Sequence, residues 1–203
     1  VLVDAFDRGS FIKILPAEQK VIGYSTRNSG GVPENFRNYF VVVFDKPFEE
    51  AAVWDKDHLV EGVSELTAGH AGAAIRFTTK RGEQVHARVA SSFISIGQAE
   101  RNLKELGDLS FDEIKKSGQD IWNRELSRII VEGGDCDQVK TFYSCLYRLF
   151  LFPRKFYEID ETGNVIHYSP YNGEVLPGYM FTDNGFWDTF RAVFPFFNLV
   201  LPS

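Results

Sequence analysis

From Val1 to about Ile96, short apolar runs alternate with turn residues, the rhythm of strands joined by tight connections. Candidate strands are Leu2–Phe6, Phe11–Leu15, Val21–Tyr24, Tyr39–Phe44, Ala51–Trp54, Ala74–Thr79 and Val85–Ile96. Breaks fall at Asp7-Arg8-Gly9, Asn28–Pro33, Lys46-Pro47 and Lys80-Arg81-Gly82. This spacing predicts an antiparallel β-sandwich. Arg76 and Thr78 alternate with Ile75, Phe77 and Thr79, while His86 and Arg88 alternate with Val85, Ala87 and Val89. Those two strands are therefore expected to keep one face wet and to form a hairpin about Lys80–Glu83. The segment Ser25–Asn38, with two glycines, a proline and three asparagines, is too long for a hairpin turn. Such a loop either carries function or needs its glycines only for positive φ.

Beyond Ile96 the apolar period becomes helical. A helix is expected over Gln98–Leu106, and a second from Phe111 to Val131 with Ser110 and Glu113 in a capping box. Ile114, Ile121, Trp122, Leu126, Ile129 and Ile130 fall on one broad face of the second, and Gly133 is its candidate C-cap. In the third helix, Phe142, Cys145, Leu146, Leu149 and Phe150 stand at core spacing, which makes Cys145 a buried thiol. Pro153 stops that helix. Arg154–Gly178, punctuated by Gly163, Pro170, Asn172-Gly173 and Pro177, is expected to be a loop-rich excursion with a small hairpin, of the kind that lines the mouth of a helical barrel.

The final apolar helix opens from the polar turn Thr182-Asp183-Asn184-Gly185, where Thr182 or Asp183 can cap it. Phe186, Phe190 and Val193 read as its core face, and Trp187 and Asp188 sit together near its first turn. An indole beside a carboxylate suits a sugar, because the flat ring covers C–H faces and the carboxylate accepts from hydroxyls. The same pair also fits a buried Trp with an Asp favoured by the helix dipole. The apolar faces of 142–152 and 186–201 have few partners within 203 residues and are expected to be exposed. With Met180 the only methionine, the chain is expected to be a piece of a longer protein.

Composition narrows the partners. At 44% hydrophobic residues the chain is globular, with one or two domains, and no apolar run approaches the roughly 20 residues of a membrane span. A net charge of −6 without a basic run argues against nucleic acid or anionic membrane. Aromatic residues at 15% permit a sugar site without demanding one. Cys136 and Cys145, if both helical, stand about 13 Å apart and cannot be bridged. No CxxC or Cys/His cluster points to zinc.

The segment Thr182–Pro195 resembles the Asp-Asn-Gly-Phe-Trp-Asp-Thr-aromatic-Arg-Ala signature of glycoside hydrolase family 92, the calcium-dependent exo-acting α-mannosidases. Gly23–Pro33, Asn38-Tyr39-Phe40, Thr141–Ser144 and Phe152-Pro153-Arg154 also resemble family segments, in family order. The resemblance implies an α+β multidomain architecture. Residues 1–96 would be the later part of an N-terminal β-sandwich, 97–133 a two-helix linker, and 134–203 the first part of an (α/α)6 barrel. It further implies a single inverting displacement at a terminal α-mannoside of a glycan, with calcium holding the O2 and O3 hydroxyls. Trp187 and Asp188 would bind the departing mannose, and Phe36 and Asn28 on the long loop would join that substrate-binding set.

Inverting hydrolysis needs an acid and a base about 6.5–9.5 Å apart. Asp183 and Asp188, five positions apart at a helix start, point in different directions and are not assigned as that pair. The resemblance places acid, base and calcium ligands downstream of Ser203, so this piece alone is expected to be inactive. A periplasmic, cell-surface or secreted location follows from the same resemblance. The alternatives are a non-catalytic carbohydrate-binding or structural sandwich module, and a helical-barrel glycosidase of another family.

Overall fold

The computed structural model describes residues 1–201, without the side chain of Asp188. Seven strands come first: β1 (Leu2–Leu15), β2 (Lys20–Ser25), β3 (Asn38–Phe44), β4 (Glu50–Asp55), β5 (His58–Val60), β6 (Glu65–Arg76) and β7 (Ala87–Ser92). Helices α1 (Ile96–Leu103), α2 (Phe111–Leu126) and α3 (Cys136–Leu149) follow. Five short strands come next: β8 (Arg154–Lys155), β9 (Glu158–Ile159), β10 (Val165–Tyr168), β11 (Val175–Pro177) and β12 (Phe181–Thr182). Helices α4 (Phe186–Thr189) and α5 (Val193–Val200) close the described chain. The chain forms two compact units, one of residues 1–107 with 157–179, the other of 108–156 with the residues from Met180 onward.

In the first unit, β1–β7 form one antiparallel sheet in the order β5-β4-β6-β1-β2-β3-β7. Ile12, Ile14, Val21, Val42, Phe44, Val53, Ala73 and Ile75 alternate onto one face and share a single core. In a flat sheet β3 and β6 would lie roughly 14 Å apart, three strand spacings. Yet Phe44 of β3 and Phe77, just past β6, are 5.2 Å ring to ring. The sheet therefore folds over on itself as a sandwich, and burial of these rings holds it closed.

Two sequence expectations fail here. Asp7-Arg8-Gly9 does not separate two strands; it is a bulge within β1, where Phe6, Arg8 and Gly9 take φ of 65°, 73° and 106° and the register to β6 shifts. Nor do the strands flanking Lys80–Glu83 pair as a hairpin. The first, β6, ends at Arg76 and pairs with β1 and β4, while β7 pairs with β3 at the far edge. The connection crosses because Phe77 and Val85 pack into the core, and burying those side chains outweighs local strand pairing.

Helix α1 packs on the sheet over β2, β3 and β7. Ser95 caps it by accepting from the Gln98 amide at 3.0 Å, Ala99 is fully buried, and Lys20 of β2 pairs with Glu100 at 2.7 Å. The excursion packs on this unit. Glu158 accepts from the Phe93 amide at 3.0 Å and from Asn102 Nδ2 at 2.7 Å, while Gln98 Nε2 donates to the Ile159 carbonyl at 2.7 Å. It is also more ordered than a single hairpin, since β9, β10 and β11 form a three-stranded antiparallel sheet.

In the second unit the Ser110/Glu113 capping box forms as expected, and a second box joins Asp135 to Gln138 at the start of α3. Helix α2 ends at Leu126, short of Val131. The reason is tertiary: the Tyr143 hydroxyl donates to the Ile129 carbonyl at 3.2 Å and accepts from the Val131 amide at 3.4 Å, drawing that segment off the helix. Gly133 is accordingly not a C-cap of α2; with Gly134 it takes positive φ in the turn into α3. Leu146 is the only buried residue of α3 among those described, and Cys145 is an exposed free thiol, contrary to its reading as core.

Candidate functional site

The bulge of β1 grips the start of the long loop. Thr26 donates its amide to the Gly9 carbonyl at 3.0 Å and its hydroxyl to the Arg8 carbonyl at 2.6 Å, and Arg8 Nη1 donates to the Asn28 carbonyl at 3.1 Å. Asn28 shapes the turn that follows: its Nδ2 donates to the Thr26 carbonyl at 2.9 Å and its Oδ1 accepts from the Gly30 amide at 2.7 Å. Gly30 and Gly31 take φ of 97° and 77°, which L side chains rarely adopt. At the loop's far end Phe36 packs on Phe93 at 5.6 Å and on Tyr168 at 5.9 Å. Arg37 donates to the Glu34 and Phe36 carbonyls and lies over the Tyr24 ring at 5.4 Å.

Between these points lies a cleft of about 410 Å³ whose lining includes Arg8, Thr26, Asn28, Pro33, Phe36 and Arg37. Asn28 and Phe36, two of the sequence candidates, are thus brought to one cleft. Guanidinium and amide donors beside an apolar ring match the mixed surface of a sugar. Glu34 is the only carboxylate in the lining, so the cleft has groups for binding and lacks an acid–base pair. Arg8 and Arg37 were missed as candidates; the only sequence signal was their closeness to Gly9 and to the long loop.

The other two candidates lie in the second unit. β8 and β12 pair as a two-stranded ribbon, and Asp183 follows with φ 67°. Asp183 does not cap the helix. Arg154 Nε donates to its Oδ2 at 2.5 Å, and Gly185 is the N-cap of α4 with no side-chain bond. Buried Thr189 closes the turn by donating its hydroxyl to the Gly185 carbonyl at 2.8 Å.

The expected single helix is split into α4 and α5. Pro195 has no N–H to give the Arg191 carbonyl, and its ring would clash there, so it is tolerated only in the first turn of a new helix. Phe186 is not core: it is 75% exposed and stacks on Phe190 at 5.9 Å. Trp187 is 78% exposed, so the described residues do not bury it. Asp188 lies within α4, its side chain outside those described.

Among the described residues, no three His, Cys, Asp or Glu side chains converge as a metal site would require. The residues in hand therefore do not fit a calcium centre.

Comparison with known proteins places these features. The family model described as the glycosyl hydrolase family 92 N-terminal domain matches residues 1–92, and that of the family 92 catalytic domain matches residues 98–203. No curated protein matches the chain. Among solved structures, the family GH92 inverting mannosidase BT2199 from Bacteroides thetaiotaomicron VPI-5482 is 46% identical over 97% of this chain, with TM-score 0.91. The family GH92 α-mannosidase BT3965 from Bacteroides thetaiotaomicron is 27% identical over 95%, with TM-score 0.81. BT3965 is also known in complex with mannoimidazole. The chain spans 27% and 26% of the lengths of BT2199 and BT3965. With the catalytic-domain model matching residues 98–203 and the N-terminal-domain model matching residues 1–92, the chain belongs to glycosyl hydrolase family 92.

Proposed function

We propose that this chain is part of an inverting, exo-acting α-mannosidase that removes terminal α-mannose from glycans of the N-glycan type. The observation that carries the reading is 46% identity over 97% of the chain to an inverting mannosidase. Residues 1–96 supply part of a sandwich, 97–133 a two-helix connector, and 134–203 the first part of an (α/α)6 barrel. The protein works outside the cytoplasm, in the periplasm, at the cell surface or secreted.

Trp187 and Asp188 bind the departing mannose: the exposed indole offers a flat apolar face, and the carboxylate accepts from sugar hydroxyls. Asn28 and Phe36, in the loop cleft of the first unit, are the other substrate-binding candidates. Asp183 is engaged by Arg154 and serves the turn rather than proton transfer. The acid, the base and the calcium ligands come from other parts of the protein, as the family resemblance implies; in keeping with this, the loop cleft holds a single carboxylate, Glu34.

The test is product stereochemistry. The full-length protein, given a terminal α-mannoside and followed by NMR, is expected to release β-mannose first. Release of α-mannose first, or no release with calcium present, would overturn the reading.

A further inference from the structure

The tip of the long loop is fastened to a segment more than a hundred residues away in the chain. Asn35 Nδ2 donates to the Gly173 carbonyl at 2.8 Å, and Asn35 Oδ1 accepts from the Tyr168 hydroxyl at 3.1 Å. Tyr168, at the end of β10, is 4% exposed, so its hydroxyl needs a partner inside the unit. Gly173, in the β10–β11 turn, has φ 77°, and a Cβ there would lie 2.4 Å from Asn35 Oδ1. The turn has room for the Asn35 amide only while position 173 lacks a side chain. Phe36, next in sequence, lays its ring against Tyr168 and Phe93, so both residues of the tip are held by one surface.

We infer that Asn35 is a positioning residue: with Gly173 and Tyr168 it forms a latch that holds the Ser25–Asn38 loop against the β10–β11 turn and so sets the width of the cleft bearing Asn28 and Phe36. This rests on the reading of that cleft as part of the mannoside site. The excursion between α3 and α4 then acts on substrate binding through the loop. Opening the latch weakens substrate capture and leaves the chemical step alone, because its three residues act through the position of the loop.

The experiment uses the full-length enzyme with Asn35→Ala, Asn35→Asp and Gly173→Ala, read by steady-state kinetics on an extended α-mannoside and by hydrogen exchange of the loop amides. Asn35→Ala is expected to speed exchange across 29–37 without altering that of β1 to β3. KM should rise about three- to tenfold, the factor for one or two net hydrogen bonds, with kcat within twofold. Asn35→Asp should not rescue, because it keeps the acceptor for Tyr168 but sets a carboxylate against the Gly173 carbonyl. Gly173→Ala should match Asn35→Ala, and the double variant should be no worse than either. Unchanged loop exchange in Asn35→Ala overturns the latch. Faster exchange with unchanged KM overturns its role in binding. If Asn28→Ala and Phe36→Ala then also leave KM unchanged, the placement of the loop at the mannoside site falls with it.

Discussion

The Arg154 guanidinium grips the carboxylate of Asp183 across the β8–β12 ribbon, while the Asp183 backbone stands in the left-handed region at φ 67°. Arg154 is largely exposed, so the ion pair contributes only about 0.2–1 kcal/mol. The backbone conformation matters more, since a residue with a Cβ is disfavoured there by roughly 1–2 kcal/mol and Asn or Asp offset part of that locally. Asp183→Asn is therefore expected to be mild and Asp183→Ala worse by about 1 kcal/mol, read from denaturation midpoints. Equal losses would mean that the charge, rather than the backbone, sets the requirement.

Trp187 gives a cleaner separation of fold from function. An exposed ring on a four-residue helix stabilises little, so Trp187→Ala should shift stability by less than about 0.5 kcal/mol. In the full-length enzyme, loss of its face together with Asp188→Ala should cost kcat/KM heavily. For Asp188→Ala alone, losing one or two charge-assisted bonds of about 1.5–3 kcal/mol each predicts roughly a hundredfold or more. Wild-type kinetics for both variants would remove the sugar from this part of the chain.

Within the sandwich, Trp54 of β4 lies across Gly72 of β6, its paired residue, and a Cβ at 72 would come 2.1 Å from the indole. Gly72→Ala should therefore destabilise by about 1–3 kcal/mol, the usual cost of overpacking. Adding Trp54→Leu should recover much of that loss. A double variant as unstable as the sum of its parts would show that the ring and the glycine are not coupled.

Asp160 closes the β9–β10 turn, accepting from the Thr162 hydroxyl and amide and from the Asn164 amide, each at 2.8 Å. The Thr162 hydroxyl first, and the Asn164 amide after it, hold its carboxyl below the ordinary value of 3.8. A depressed folded value means that the stabilisation is present above the unfolded value and lost as pH falls through the folded one. Asp160→Ala should lower Tm at neutral pH, and its difference from wild type should shrink below about pH 3.8. A difference that persists undiminished in acid would contradict the assignment.

Much of this was legible because it is local. Ser110 and Glu113 form their capping box within one turn, and the candidate strands Phe11–Leu15, Val21–Tyr24 and Tyr39–Phe44 fall within β1, β2 and β3. The signature around Trp187 identified the family from residues adjacent in sequence. What failed depended on partners far along the chain. The Lys80–Glu83 hairpin looked sound by strand rhythm, but Phe77 and Val85 gain more by entering the core than by pairing locally. The end of α2 was decided by the Tyr143 hydroxyl, and Asp183 was turned from a helix cap to a ribbon contact by Arg154. The cleft was half visible: Asn28 and Phe36 could be chosen from the family resemblance of their loop, whereas Asn35 acquires a role only when β10 and β11 bring Tyr168 and Gly173 beside it. Periodicity and capping act over one or two turns of chain and can be read from sequence. Which distant surface a loop closes on is set by shape and by unsatisfied buried groups, and those exist only once the chain has folded.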